Sequence, residues 1–228
     1  MKRALLATLL LSLASICSTS ALAQVEQVTE LTVTNSRAMI ATLDQYVASG
    51  ELRSENVNLL AHIHDGVNPA THTVVAIYDD LKTLEGAMEA RQSSAAWGTL
   101  LRSTASISKA NSTALAIQKR TWGNKGWVEG GYLAAVMVNA ADSASWLAAM
   151  DQWNKTNKVK NPGMVRIVKL RGAPANHAVL IAAPDYADLI NYMENVEASD
   201  EFAALRGATE TQVVGTTYYR VVKVWNPK

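Results

Sequence analysis

The chain has 228 residues, 21 Lys+Arg against 20 Asp+Glu, and 49% apolar residues, which is the composition of a folded globular protein. Disorder, collagen and a coiled coil are excluded. Charge this evenly balanced also argues against a general binder of nucleic acid or of anionic membranes.

Met1-Lys2-Arg3, the apolar run Ala4 to Ile16 and Ala21-Leu22-Ala23 have the pattern of a secretory signal peptide with a small-x-small cleavage site. Residues 1–23 are therefore expected to be a leader, and the mature protein periplasmic or secreted. The one cysteine, Cys17, lies inside that leader, so the mature chain is expected to hold no disulfide. Lipid attachment at Cys17 is the alternative, but Ile16 stands where a lipobox has a small residue. No later apolar stretch reaches the ~20 residues that span a bilayer as a helix.

Val28–Thr34 alternates as a strand, and Asn35 offers an N-cap for a helix to about Ala48, with Met39, Ile40, Leu43 and Tyr46 at helical spacing. Strands are expected at Val57–His64 and His72–Tyr78, around a turn containing Asp65-Gly66 and Asn68-Pro69. A helix follows from about Leu81 to Leu101, and a strand from Thr113 to Trp122. This βαββαβ order returns in Tyr132–Asn139, Ser143–Asn154, Met164–Arg171, His177–Ala183, Tyr186–Arg206 and Thr217–Trp225.

The return is a duplication. Pro69-Ala70-Thr71-His72 recurs as Pro174-Ala175-Asn176-His177, an offset that also matches Asp80 with Asp185, Leu84 with Leu189, and Met88-Glu89 with Met193-Glu194. Leu43-Asp44-Gln45-Tyr46 recurs as Met150-Asp151-Gln152-Trp153, and Lys119-Arg120-Thr121-Trp122 as Val222-Lys223-Val224-Trp225. The expected organisation is a leader (1–23), a first ferredoxin-like repeat (24–122), a linker (123–126) and a second repeat (127–228).

Each βαββαβ unit makes an antiparallel sheet with its helices on one face, leaving the other face to be covered. Two such sheets can cover each other. The topology, the duplication and the helical segment Ser199-Asp200-Glu201-Phe202-Ala203-Ala204-Leu205 resemble the dimeric α+β barrel superfamily, which includes antibiotic-biosynthesis monooxygenase-like and stress-responsive barrel proteins. The resemblance implies an α+β fold in which two tandem units form an intramolecular pseudo-dimeric barrel. It does not by itself imply an activity, because the superfamily holds enzymes and non-enzymes.

The densest chemical signal is His62-Ile63-His64-Asp65 followed by His72. On a strand His62 and His64 share a face. A register placing His72 opposite His64 would bring three imidazoles together in the space between the sheets. Such a set could hold zinc, copper or iron, with Asp65 beside it, or one imidazole could serve as a catalytic general base. At the repeat offset of His72 and His177 the second copy has Ile167 and Lys169 in place of His62 and His64. His72 and His177 themselves are expected to bond the turns they follow, or to mark equivalent entrances to the barrel.

Tyr132 and Tyr218 fall on strands expected to be neighbours, where they could line an apolar cavity. Trp146 and Trp153 share a helix face and are expected in the core. Arg166, with Lys169, Arg171, Arg220 and Lys223, could bind a carboxylate or form a solvated edge. No Gly-rich phosphate loop, G-x-S-x-G, H-E-x-x-H or C-x-x-C motif is present, which argues against nucleotide hydrolysis, serine-hydrolase elbows, zincins and thiol redox work.

The leading expectation is a small, partly apolar organic ligand held in the inter-sheet cavity by Tyr132, Tyr218, Arg166 and His177, with no cofactor required. One alternative is a cofactor-independent oxygenase or isomerase with His62, His64 or His72 as base and a tyrosine as orienting phenol. Another is a structural protein whose sheet edges pair with a second copy. Expected partners are the small ligand, no nucleic acid and no membrane span, in a monomer with an internal pseudo-dimer or a higher homo-oligomer.

Overall fold

The computed structural model describes residues 23–64, 68–123, 127–160 and 162–226. Cys17 and nearly all of the expected leader, Asp65, and Asn124-Lys125-Gly126 of the expected linker lie outside them. The first half runs β1 (Val25–Val33), α1 (Ser36–Ala48), β2 (Asn56–His64), β3 (His72–Tyr78), α2 (Leu81–Ser93), α3 (Ala95–Thr104) and β4 (Ser108–Gly123). The second runs β5 (Tyr132–Ala140), α4 (Ser143–Thr156), β6 (Met164–Arg171), β7 (His177–Ala183), α5 (Tyr186–Glu197), α6 (Asp200–Ala208) and β8 (Thr211–Trp225). Among the described residues no helix is long and apolar enough to cross a membrane.

The single helix expected after β3 is broken in two, and so is the one after β7. The cause is a serine at each break: Ser94 turns extended and caps α3 by accepting from Trp97 N, and Ser199 does the same for α6 from Phe202 N. β4 and β8 also begin several residues earlier than their alternation suggests, because β1 and β5 pair with their exposed first segments.

The eight strands close into one antiparallel barrel in the order β1-β3-β2-β8-β5-β7-β6-β4. Within each half the sheet is ordered as a ferredoxin-like unit. The halves are joined where β8 pairs with β2 and β4 pairs with β6. Among the described residues closure leaves no strand edge open, so the barrel strands offer no edge for the pairing with a second copy considered from the sequence.

Period-two alternation divides the strand side chains into two populations. One population, with the helices, forms a separate core on the outside of each half. Val25, Leu59 and Tyr78 meet Met39, Leu43 and Leu84 in the first, and Ala134, Val165 and Ile181 meet Trp146, Met150 and Leu189 in the second. The other population fills the barrel: Leu60, Val75, Ile77, Leu133, Val168, Leu180, Tyr219 and Val221 pack there. The open inter-sheet cavity expected for a ligand is thus occupied at its centre by side chains.

The repeated motifs cross between the halves. Trp225, at the end of β8, is buried in the first half's outer core and donates its indole N–H to Asp44 on α1 at 2.7 Å. Trp122, at the end of β4, packs against the second half's core. Beside it Arg120 pairs with Asp151 on α4 through Nε at 2.7 Å and Nη2 at 2.8 Å. Asp44 and Asp151 are the same position of the duplicated unit, and each anchors the last strand of the other half.

Candidate functional site

The strand registers place each expected site residue. His72 pairs with Ala61, not His64, and so faces the helices. His62 points into the barrel, where its Nε2 lies 2.8 Å from Thr73 Oγ1 and its ring meets the edge of Tyr219 at 4.8 Å. A bulge between His62 and His64 against β8 sets His64 beside Tyr218, on the outside. The three imidazoles therefore occupy three environments. Among the described residues no group of three or more His, Cys, Asp or Glu could hold a metal ion. The pairing also shifts the expected equivalence: Ala61 and Lys169 both face the repeated histidines, so Leu170 and Gly172 stand where His62 and His64 stand, in place of Ile167 and Lys169.

His72 and His177 are buried latches between a strand and a helix start. Nε2 of His72 lies 3.0 Å from Ser36 Oγ, and Nδ1 lies 2.9 Å from Thr71 Oγ1. Nε2 of His177 lies 2.8 Å from Ser143 Oγ, and Nδ1 lies 2.7 Å from Asn176 Oδ1. Burial lowers the pKa of both rings, which keeps the imidazoles neutral. Neither histidine marks a barrel entrance.

The carboxylate that Arg166 meets is the protein's own Glu26. Arg166 lies inside the barrel and forms a buried ion pair with Glu26 across 140 residues of chain, joining the two halves. Burial pushes the Glu26 carboxyl up, although the Arg166 charge and hydrogen bond pull it down. On the same inner wall Gln118 Oε1, Thr121 Oγ1 and Arg166 Nε are buried without a hydrogen-bond partner among the described residues. Lys169 is half-buried, and Arg171 and Arg220 are exposed.

Tyr132 and Tyr218 do come together, but on the outer face. Tyr186, the first residue of α5, bridges them: its ring is 5.5 Å from Tyr132 and 6.2 Å from Tyr218. His64 completes the cluster at 6.2 Å from Tyr186 and 6.3 Å from Tyr218. Burial raises the Tyr218 pKa, with Tyr186 and Glu197 adding to the shift, so its phenol remains a donor at neutral pH. At the pseudo-symmetric seam the matching positions are Val25, Leu81, Leu115 and Gly172, which carry no aromatic ring.

Tyr132 also borders a pocket of about 170 Å³ at the barrel mouth, among the starts of β5 and β6 and the end of β7. Trp127, Pro162 and Pro184 form its rim, and Leu133, Met164 and Val221 form its floor. The indole Nε1 of Trp127 is buried there with no hydrogen-bond partner among the described residues. Trp127 and Tyr186 are both visible in the sequence among the aromatics concentrated in the second half, whereas the cluster and the pocket they join depend on long-range pairing. Two glycines keep the mouth tight. A Cβ on Gly163 would lie 2.6 Å from the carbonyl oxygen of Ala182, and one on Gly131 would lie 3.1 Å from that of Ala183. We expect Gly163→Ala to lower stability by about 1–3 kcal/mol, because the obstructing atom is backbone. A thermal midpoint equal to that of the wild type would show that β6 and β7 separate freely.

No protein-family model matches the chain, and no curated protein is significantly similar to it in sequence. Solved structures do match it. A proposed monooxygenase from Fusobacterium nucleatum superposes with a TM-score of 0.60 at 13% identity, over 90% of this chain and 95% of the other. An anthrone oxidase-like protein gives 0.55 at 11%, over 90% and 93%. A heme-binding protein from Thermus thermophilus gives 0.56 at 9%, over 87% and 91%. What these proteins share with this one is the fold. It is the dimeric α+β barrel fold, here made by two ferredoxin-like units of one chain.

Proposed function

We propose that this is a periplasmic or secreted binding protein for a small, largely apolar molecule carrying one hydrogen-bond acceptor, held at the second-half mouth of the barrel. The observation that carries this reading is the Trp127 indole N–H, buried without a partner in an otherwise apolar pocket. An unmet donor costs free energy that an acceptor on a ligand would recover. Tyr132 and Tyr186 extend the apolar surface outward from the rim, and the first half has no counterpart of this wall.

The chain has six tryptophans, whose indole N–H signals can be followed by NMR and that of Trp127 assigned with Trp127→Phe. 1-Tetralone, an aromatic ketone, is expected to shift the Trp127 signal, whereas tetralin, the same skeleton without the oxygen, should bind more weakly. No shift of Trp127 at millimolar 1-tetralone would remove the reading.

A second reading is favoured by the position of His64, exposed beside Tyr186 and Tyr218 close to the same rim. A ligand reaching past Tyr132 would meet a general base with phenols to orient it, the arrangement a cofactor-independent oxygenase or isomerase needs. Such a base would exchange the C2 hydrogens of 1-tetralone in deuterated buffer faster than buffer alone, and His64→Gln would abolish the acceleration. Heme does not fit this histidine set. His72 and His177 hold side-chain partners on both ring nitrogens, His62 bonds Thr73 inside a filled barrel, and His64 lies among tyrosines on the outer face.

A further inference from the structure

We propose that Ser143, His177 and Asn176 form an acyl-accepting site, with Ser143 as a nucleophile toward small uncharged carboxylic esters. This site is separate from the mouth pocket and does not depend on it.

The orientation of the triad follows from its hydrogen bonds. The Asn176 carboxamide is locked against the end of β5: its Nδ2 donates to Ala140 O at 2.9 Å, and its Oδ1 accepts from Ala140 N at 3.0 Å. The oxygen is therefore the atom facing His177, and it can only accept. Nδ1 of His177 must then carry the ring proton, which leaves the Nε2 lone pair to accept the Ser143 hydroxyl hydrogen. A serine donating to a neutral imidazole whose other nitrogen is held by a fixed acceptor is the arrangement that activates a hydroxyl nucleophile. The ring of Trp146, 4.8 Å away, packs against the imidazole and holds it in place, and burial lowers its pKa, so the ring is neutral at pH 7 with the Nε2 lone pair free to accept.

Ser143 is half-buried, as the first residue of α4, and its own backbone N–H has no intrahelical acceptor. Asn176 also lines an open polar hollow of about 590 Å³, with Asn139, Glu210, Thr211 and Gln212. The hollow adjoins the triad through Asn176, and its charged side chain, Glu210, favours a neutral ester over an anionic one approaching from that side.

In the reaction Ser143 Oγ bonds the carbonyl carbon as its proton passes to His177 Nε2. The ester C–O bond breaks, and the departing alkoxide takes that proton. Water then loses a proton to the same nitrogen and attacks the acyl carbon; the Oγ–acyl bond breaks, Ser143 regains the proton, and a carboxylic acid leaves.

The first half holds a built-in comparison. Ser36 and His72 repeat the pair, but the third group is the Thr71 hydroxyl. It accepts from Val33 N at 2.8 Å, and its single hydrogen can go either to Val33 O at 3.3 Å or to His72 Nδ1 at 2.9 Å, so a rotating hydroxyl replaces the fixed acceptor that Asn176 supplies. Ser36 is also more exposed than Ser143.

Full-length protein treated with a fluorophosphonate should therefore be modified at Ser143 about 100-fold faster than at Ser36, the lower end of what a positioned general base supplies. Peptide mapping locates the adduct, and Ser143→Ala should abolish both it and the acetyl adduct formed from p-nitrophenyl acetate. Equal labelling of the two serines, labelling of Ser36 alone, or none at either would overturn the proposal and leave both pairs as structural latches.

Discussion

Glu26→Leu is expected to destabilise the barrel by about 3–5 kcal/mol, the cost of leaving one member of a buried ion pair without its partner. Glu26 is 1% exposed and Arg166 6%, so water cannot replace either partner. Leucine is a fair substitute in shape, since Leu133 occupies the matching position of the second half inside the barrel. The loss would therefore report the stranded Arg166 guanidinium, whose Nε already lacks a partner. Glu26→Leu combined with Arg166→Met should recover most of the stability, because apolar pairs of similar volume commonly match buried ion pairs. Urea unfolding of the two variants decides the matter. A single-variant loss below about 1 kcal/mol would mean that water or an ion reaches Arg166.

Trp225→Ala is expected to cost a comparable ~3–5 kcal/mol and to do so for both halves at once. The side chain belongs to the last strand of one half and to the outer core of the other, so its removal opens a cavity and strips Asp44 of its indole donor. Trp122→Ala should cost less, because Trp122 lies at the margin of its core, partly exposed. The crossed strands also predict one unfolding transition for the wild type, seen at the same midpoint by tryptophan fluorescence and by far-ultraviolet dichroism. Two separate midpoints would show that the halves do not depend on each other.

Much of this architecture was legible in the sequence. Repeats such as Pro-Ala-x-His and x-Asp-Gln-aromatic revealed two units, and alternating apolar positions revealed the strands of each, whose βαββαβ succession implies an antiparallel sheet with its helices on one face. The use of Asp44 and Asp151 was not legible, since their partners are set by closure of the barrel; Trp225 lies 181 residues from Asp44. The candidate site suffered most from a single bulge. Strand alternation puts His62 and His64 on one face, and the irregularity opposite Tyr218 and Tyr219 separates them. Nothing local in His62-Ile63-His64 signals it. Likewise the shift that pairs Lys169 with His177 reflects different hairpin lengths in the two halves. Tyr132 and Tyr218 do lie on adjacent strands, as the repeat implies, but which face they occupy depends on register.

The short link from Gly123 to Tyr132 has a consequence of its own. A barrel assembled from two separate chains falls apart on dilution, at a point set by its dissociation constant. Here the second unit is tethered a few residues from the first, at an effective concentration on the order of millimolar. Assembly is thus independent of how much protein is present, and the barrel should survive at vanishing concentration, where a two-chain counterpart would be in pieces.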